Sequence, residues 1–350
     1  MYEELGGEEV LTNVFKNLQE KTRGDAQIKD FWKDSDKERV AMAGKAHLMK
    51  ILGGPDMYTG KNMREVHQNM KIGDKEFNIF LKHLRKAFLE GGVKEETVNK
   101  VLDVADLFRA EVVGRKSVID RLGGKVGLHS IVQVFHENLM KDNLLGPIYG
   151  KAADPQGLVR GYSHYLAYLF GGEEPHTRGT LKNVHGKLEL KDVHYDLFVD
   201  IFKETLKRFN VDEETREEAG QILEKRRNEI LRRESLWKRL GGEEKMHKVC
   251  HTFEGILIKD PIVGPMHQSI DINKYHENHM DLFADLFGGY HFYSGKNLQE
   301  AHRTLKLNDD HFNLFVKLFQ QALTENGISE DLVKEVKEKF EFERNEVLNR

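Results

Sequence analysis

Apolar residues recur along this chain at three- and four-residue intervals. In EEVLTNVFKNLQEK, residues 8–21, Val10, Val14 and Leu18 form one stripe, with Leu11 and Phe15 beside it. KEFNIFLKHLRKAFLE, residues 75–90, repeats the pattern with Phe77, Phe80, Leu81, Leu84 and Phe88. VNKVLDVADLFRAEVV, residues 98–113, supplies a further run. This is the period of an amphipathic helix. Strict alternation, the sign of a strand, is scarce, and the whole chain of 350 residues holds only six prolines. An aspartate stands at the head of one such helix three times, as Asp74, Asp192 and Asp309. A carboxylate there can accept a free amide, so these residues are expected to be N-caps. The pattern predicts an all-α protein.

The helices come in a repeated order. YTGKNMREVHQNM, residues 58–70, returns as YSGKNLQEAHRTL at 293–305 and, more loosely, as HTRGTLKNVHGKL at 176–188. Each phrase carries one histidine, His67, His185 and His302, at intervals of 118 and 117. An earlier Leu-Gly-Gly begins at Leu5, Leu122 and Leu240, at intervals of 117 and 118. A second double glycine starts 14 residues before each histidine, at Gly53, Gly171 and Gly288. Three landmarks in register mean three homologous units. The period exceeds the roughly 20–50 residues of a solenoid repeat and matches a folding domain of about 100–150 residues. The expected domains are 1–115, 116–233 and 234–350. Each reads as about six helices with glycine-marked joints. RAEVVGRKSVIDRLGG and RRNEILRRESLWKRLGG, which span the cuts, are charged and helix-compatible. Short stiff joints are therefore expected, not floppy tethers.

Composition narrows the function. Net charge is −4, distributed as 0, +1 and −5 over the three units. No unit has the basic field of a nucleic-acid binder. The lone Cys250 excludes an intramolecular disulfide framework and, in an apolar helix, reads as a buried thiol. No apolar run reaches the ~18 residues of a membrane span, and MYEELGG lacks the basic-then-apolar order of a secretory signal. A cytoplasmic protein with no membrane partner is the expectation. No G-x-G-x-x-G fingerprint is present for a flavin or nicotinamide cofactor.

The repeated histidine carries the candidate chemistry. Apolar residues follow it at +3 and +5: Met70 and Ile72, Leu188 and Leu190, Leu305 and Leu307. It thus stands at the edge of an apolar face. No metalloprotease spacing recurs around it, and no cysteines exist to complete a zinc site. A single fixed imidazole in an apolar helical pocket suits an axial haem ligand, because the macrocycle supplies the other four donors. A core histidine bonded to a carbonyl is the bland alternative.

The stretches LGGEE, FW and D at 31–36, LGGPDMYTGKNMREVH at 52–67 and HLRKAFLEGGV at 83–93 together resemble the truncated haemoglobins, most closely their first group. The resemblance spans the chain as three tandem copies. It is loosest in the second, which keeps the spacing but loses the Tyr-Thr-Gly core. It implies a two-over-two helical sandwich, one haem b per domain, three per chain, and His67, His185 and His302 as proximal iron ligands. It further implies basic residues that pair with the haem propionates: Lys61 and Arg64, Arg178 and Lys182, and Lys296.

The distal side departs from that family, which usually has a tyrosine in the second helix. Counting from each Leu-Gly-Gly places Gln19, His136 and Glu254 there. Counting back from the second double glycine places Val40 and Gly44, Leu158 and Tyr162, and Tyr275 and His279 on the facing helix. The three pockets therefore differ. Tyr275 and His279, four apart, share a helix face, and His279 is a candidate second iron ligand. His47, His83, His164, His194 and His311 lack a recurring partner and read as structural or exposed. The resemblance implies reversible binding of O₂, NO or CO. Nitric-oxide dioxygenation with an external reductase, electron transfer by a doubly ligated haem, and a scaffold without haem are the alternatives.

Overall fold

The computed structural model describes residues 1–150, 154–172, 185, 188–267, 271–289 and 293–350, and these form helices and turns without a strand. Five helices define the first repeat: α1 (Gly7–Gly24), α2 (Lys37–Ile51), α3 (Met63–His67), α4 (Asp74–Glu90) and α5 (Glu95–Asp106). The second supplies α6 (Gly124–Lys141), α7 (Pro155–Leu169), α8 (Asp192–Arg208) and α9 (Glu213–Glu224). The third supplies α10 (Gly242–Leu257), α11 (Ile272–Leu286), α12 (Leu298–His302), α13 (Asp309–Glu325) and α14 (Glu330–Val347). One-turn helices join them.

The same packing recurs three times. The first long helix of each repeat lies against both the second and the penultimate one, and the penultimate packs on the last. Two antiparallel pairs thus face each other across an apolar core. In the first repeat the buried stripe is Leu11, Val14 and Leu18, with Val10 and Phe15 half-buried at its edge. The expected stripe is thus rotated by one position. Phe77, Leu81, Leu84 and Phe88 meet it from α4. Phe253, Phe283 and Phe319 play this part in the third repeat, with Phe253 and Phe319 edge to face at 5.1 Å. Cys250 is a fully buried free thiol whose ionisation is disfavoured by burial and by Glu254.

Both double glycines have a backbone reason. Gly6, Gly123 and Gly241 turn the chain into the first long helix at φ of 90°, 84° and 100°, which side chains rarely tolerate. Gly53, Gly171 and Gly288 end the second helix at φ of 81°, 91° and 74°.

The three aspartates do something other than capping. Asp74, Asp192 and Asp309 are the first residues of their helices; the caps are Gly73, Lys191 and Asn308. Each carboxylate holds two arginines, 35 and 41 residues further on. Asp74 binds Arg109 at 3.0 Å and Arg115 at 2.8 Å. Asp192 binds Arg227 at 3.1 Å and Arg233 at 2.6 Å. Asp309 binds Arg344 and Arg350, both at 2.9 Å. The nearer arginine also covers an aromatic ring, at 4.8 Å over Phe77, 4.7 Å over Tyr195 and 4.3 Å over Phe312. A negative charge at a helix start is favourable in its own right. The device folds the end of each repeat back on the start of its own penultimate long helix.

Residues 1–233 pack as one compact unit and 234–350 as another. Inside the first unit, ion pairs join the two repeats. Arg226 binds Asp103 at 2.8 and 3.2 Å, and Lys225 approaches Asp106 at 3.4 Å. Asp106 also pairs with Arg109 at 2.6 Å. Burial opposes ionisation of Asp106, but Lys225 and Arg109 outweigh it and hold its carboxyl below the usual range.

Candidate functional site

A short capped helix presents the repeated histidine. In α3, Asn62 accepts from the Glu65 amide while Glu65 accepts from the Asn62 amide, a capping box. In α12, Asn297 accepts from the Glu300 amide at 2.7 Å. Before each helix a tyrosine folds over a glycine. Tyr58 donates to the Lys61 carbonyl at 2.5 Å and Tyr293 to that of Lys296 at 2.8 Å. A Cβ on Gly60 or Gly295 would stand 2.6 Å or less from the tyrosine ring or its oxygen. This is the physical content of Tyr-Thr-Gly-Lys and Tyr-Ser-Gly-Lys.

The imidazoles are then fixed by their own helices. His67 Nδ1 donates to the Met63 carbonyl at 2.8 Å, and His302 Nδ1 to the Leu298 carbonyl at 2.7 Å. A carbonyl can only accept, so the proton sits on Nδ1 and Nε2 keeps its lone pair. Burial pushes both imidazoles towards the neutral form, against the raising effect of the carbonyl. An oriented neutral imidazole with a bare Nε2 is what an axial iron ligand requires. His185 is buried at the same place in the second repeat.

Distal positions differ among the repeats, and each holds buried polar atoms. In the first, Gln19 is spent on structure: its Nε2 donates to the Lys37 carbonyl at 2.5 Å. Val40 is half-buried, and Phe15 fills the space over Gly44, where a Cβ would meet its ring at 2.7 Å. The polar group that remains is His47, at the edges of the Tyr58 and Phe108 rings at 5.0 and 5.1 Å. Both its ring nitrogens are buried without a partner. Burial, then Lys50 and His67, pushes its pKa down to about 4. It is thus neither exposed nor satisfied, a correction to the sequence reading. Its offset of three from Gly44 was the available signal.

In the second repeat Nδ1 of His136 is buried without a partner, and the Tyr162 hydroxyl makes no hydrogen bond of ordinary geometry. Leu158 packs at the edge of the core. Burial lowers the His136 pKa and raises that of Tyr162. Arg178 and Lys182 lie outside the described residues.

In the third repeat Glu254 is 3% exposed and binds histidines on both oxygens. Oε1 accepts from His279 Nδ1 at 3.2 Å and Oε2 from His276 Nδ1 at 2.9 Å. Burial opposes ionisation of Glu254, but the two imidazoles outweigh it. The Tyr275 ring lies 4.0 Å from that of His279. His267, which sequence reasoning missed, lies 5.3 Å from Tyr275 and contributes to the electrostatics of both His279 and His302. It stands 27 residues after Leu240, as Trp32 and Tyr149 stand after Leu5 and Leu122. Register with those aromatics was the signal.

Among the basic candidates, Lys61 and Lys296 are exposed beside their histidine helices. Arg64 donates to the Arg115 carbonyl at 3.1 Å and approaches Asp120 at 3.7 Å. His83 pairs with Asp25 at 2.8 Å, and His194 and His311 accept amides at their helix starts. No described helix is long and apolar enough to cross a membrane.

This arrangement, a two-over-two helical sandwich with one oriented histidine under a polar distal cluster, defines a globin of the truncated kind. The bacterial-like globin family matches the chain three times, over residues 1–113, 117–232 and 235–349, and the chain belongs to that family. Similar relatives are single-domain proteins. A group 1 truncated haemoglobin of Tetrahymena pyriformis is 30% identical over 115 residues, 33% of this chain and 95% of the relative. One from Mycolicibacterium paratuberculosis is 32% identical over 102 residues, 29% of this chain and 75% of the relative. Among solved structures, the Fe(III) truncated haemoglobin of T. pyriformis shares 26% identity with a TM-score of 0.32, covering 33% of this chain and 98% of its own. A Synechococcus 2/2 haemoglobin with covalently attached haem shares 28% with a TM-score of 0.32, covering 33% and 100%.

Proposed function

We propose that the protein is a three-haem globin that binds diatomic ligands, with one haem b in each domain and domain limits near 1–115, 116–233 and 234–350. The observation that carries this is the twice-repeated imidazole with Nδ1 bonded to the carbonyl four residues before it. Unpartnered polar atoms on His47 and His136 fit a pocket that holds a further group, since buried polar atoms are otherwise paired. Bound haem iron supplies one coordination position to a histidine and one to an incoming gas molecule. His67 and His302, through the Nε2 left bare by their Nδ1 bonds, and His185 at the matching position would hold the group at the first position. Gln19, Val40, Gly44, His136, Leu158, Tyr162, Glu254, Tyr275 and His279 shape the second. Lys61 and Lys296 supply positive charge beside the carboxylates of the group.

A second reading applies to domain 3 alone. Glu254 accepts the Nδ1 proton of His279, so His279 Nε2 is also a bare, oriented donor. That favours internal double ligation there. Turnover as a nitric-oxide dioxygenase requires an external reductase, and its test is NO consumption with a supplied electron donor. The haem assignment is tested by haem per chain in wild type and in His67→Ala, His185→Ala and His302→Ala. Three equivalents in wild type and loss of about one per substitution are expected. Unchanged haem content in all three variants overturns the reading.

A further inference from the structure

Domain 3 places three histidines that the haem reading does not use, His247, His251 and His276, around Glu254, which it does. α10 presents His247, His251 and Glu254, four and three residues apart, so one helix face carries all three. α11 presents His276 and His279 from the helix packed against it. Glu254 Oε2 lies 2.9 Å from His276 Nδ1 and 4.0 Å from His251 Nδ1. The His251 and His276 rings are parallel within 12°, with centroids 4.0 Å apart. The donor atoms of His251, Glu254 and His276 all lie within 4.8 Å of one another, and no other such group occurs among the described residues.

We propose that His251, Glu254 and His276 form a site for a first-row divalent transition ion, with zinc as the reference cation. The donor set is two imidazoles and one carboxylate, which favours such an ion over calcium or magnesium. Tetrahedral zinc with bonds of about 2.0–2.1 Å needs donors roughly 3.3 Å apart. The separations of 2.9 and 4.0 Å bracket that value. His251 is 70% exposed, so its ring is free to close the longer gap, and its side leaves coordination positions open to water or a small anion.

The surrounding bonds suit metal capture. His276 Nε2 lies 2.8 Å from His247 Nδ1. Without metal, His276 carries its proton on Nδ1 and donates it to Glu254. With metal on Nδ1, the His276 proton sits on Nε2 and is donated to His247 Nδ1, whose own proton then sits on its Nε2, so the bond between the rings is kept with its direction reversed. His279 meanwhile holds the other Glu254 oxygen. Two of the three ligands, His276 and Glu254, are thus oriented from behind, as metal sites commonly are. The cation would also answer a buried carboxylate whose ion-pair partners, among the described residues, are all histidines.

The other domains act as internal controls. The positions of His251, Glu254 and His276 are Lys16, Gln19 and Ala41 in the first repeat, and Gln133, His136 and Val159 in the second. Neither can build the set. The inference stands independently of haem binding.

The test is equilibrium dialysis of chelator-treated full-length protein against zinc chloride, with zinc measured by atomic spectroscopy and kept separate from iron. His251→Ala is the main variant, because an exposed side chain leaves the fold intact. Glu254→Gln, checked by circular dichroism, is the second, and His311→Ala is the control for adventitious surface histidines. One tight equivalent of zinc is expected in wild type and in His311→Ala, weakened at least about tenfold by His251→Ala and lost in folded Glu254→Gln. Wild-type binding that survives His251→Ala undiminished, or that falls equally in His311→Ala, overturns the site.

Discussion

Domains 1 and 3 share the asparagine-capped histidine helix and its Nδ1-to-carbonyl bond, and part company on the other side of the pocket. In domain 1 the α1 position is Gln19, already committed to the Lys37 carbonyl, and the facing α2 offers Val40 and a glycine covered by Phe15. In domain 3 the same positions hold Glu254, Tyr275 and His279, with Glu254 bonded to His279 and the Tyr275 ring tilted against it at 4.0 Å. The fold therefore fixes the proximal geometry, while a few side chains on two helices set the distal chemistry. A polar residue in the pocket matters by what it is already bonded to. Gln19 is polar and occupied; His279 is polar, oriented, and has one nitrogen to spare.

The largest expected effect follows from this. Domain 3 is expected to be low-spin without external ligand, with His279 opposite His302, and domain 1 open. Carbon monoxide association should then be slower in domain 3 than in domain 1 by about tenfold or more, because the competent open state is only fractionally populated. His279→Leu should abolish the low-spin component and restore fast binding. His276→Leu should not, since Glu254 Oε1 still accepts the Nδ1 proton of His279 when the other oxygen loses its partner. Absorption spectra and flash photolysis of wild type and both variants read this out. A wild type with no low-spin component, or equal changes in both variants, removes the contrast between the domains.

The next effect lies outside the pockets. Domain 1 leans on domain 2 through partly exposed ion pairs, and Asp106 is central to them. Its folded pKa is depressed, although burial pushes the other way, because Lys225 and Arg109 lie beside it. A depressed carboxylate contributes stability above its unfolded pKa of about 3.9 and loses it as pH falls through the lower folded value. Asp106→Asn should therefore cost roughly 1–3 kcal/mol at neutral pH, and the cost should vanish in acid. Denaturant unfolding at pH 7 and pH 3 checks both halves. A penalty that persists unchanged at pH 3 would show that charge is not its source.

Repetition made legible the features that also have one local cause. The two double glycines, the histidine and the order of long helices were legible because each returns in register, and each has one local cause. The stripe in α1 was read one position off because Val10 and Leu11 are both apolar; only the facing α4 decides that Leu11 goes inside. Asp74, Asp192 and Asp309 were misread as caps. Their partners lie 35 and 41 residues away, and a helix-start aspartate has a good local explanation that conceals the distant one. The arginine spacing itself recurs three times and was readable. His47 and His267 occur as histidines once each, so only their register, three after Gly44 and 27 after Leu240, could flag them. Their role depends on which side chains line the pocket, a property of helix packing.

The smallest effect concerns His47, the residue that most distinguishes the domain 1 pocket once Gln19 is discounted. Both its nitrogens are buried without partners, and its neighbours Tyr58 and Phe108 meet it through their rings. An unmet buried donor and acceptor cost free energy in the empty pocket, about 1 kcal/mol or somewhat more. His47→Leu keeps a similar volume and removes that cost. The apoprotein should therefore gain about 1 kcal/mol, a shift of a few degrees in the melting temperature of unit 1–233. The loaded protein should gain less, because a bound group can give the imidazole a partner. Calorimetry of both variants before and after haem removal measures the difference. An equal gain in both forms would mean that His47 faces the core and not the pocket, and the distal side of domain 1 would then be apolar throughout.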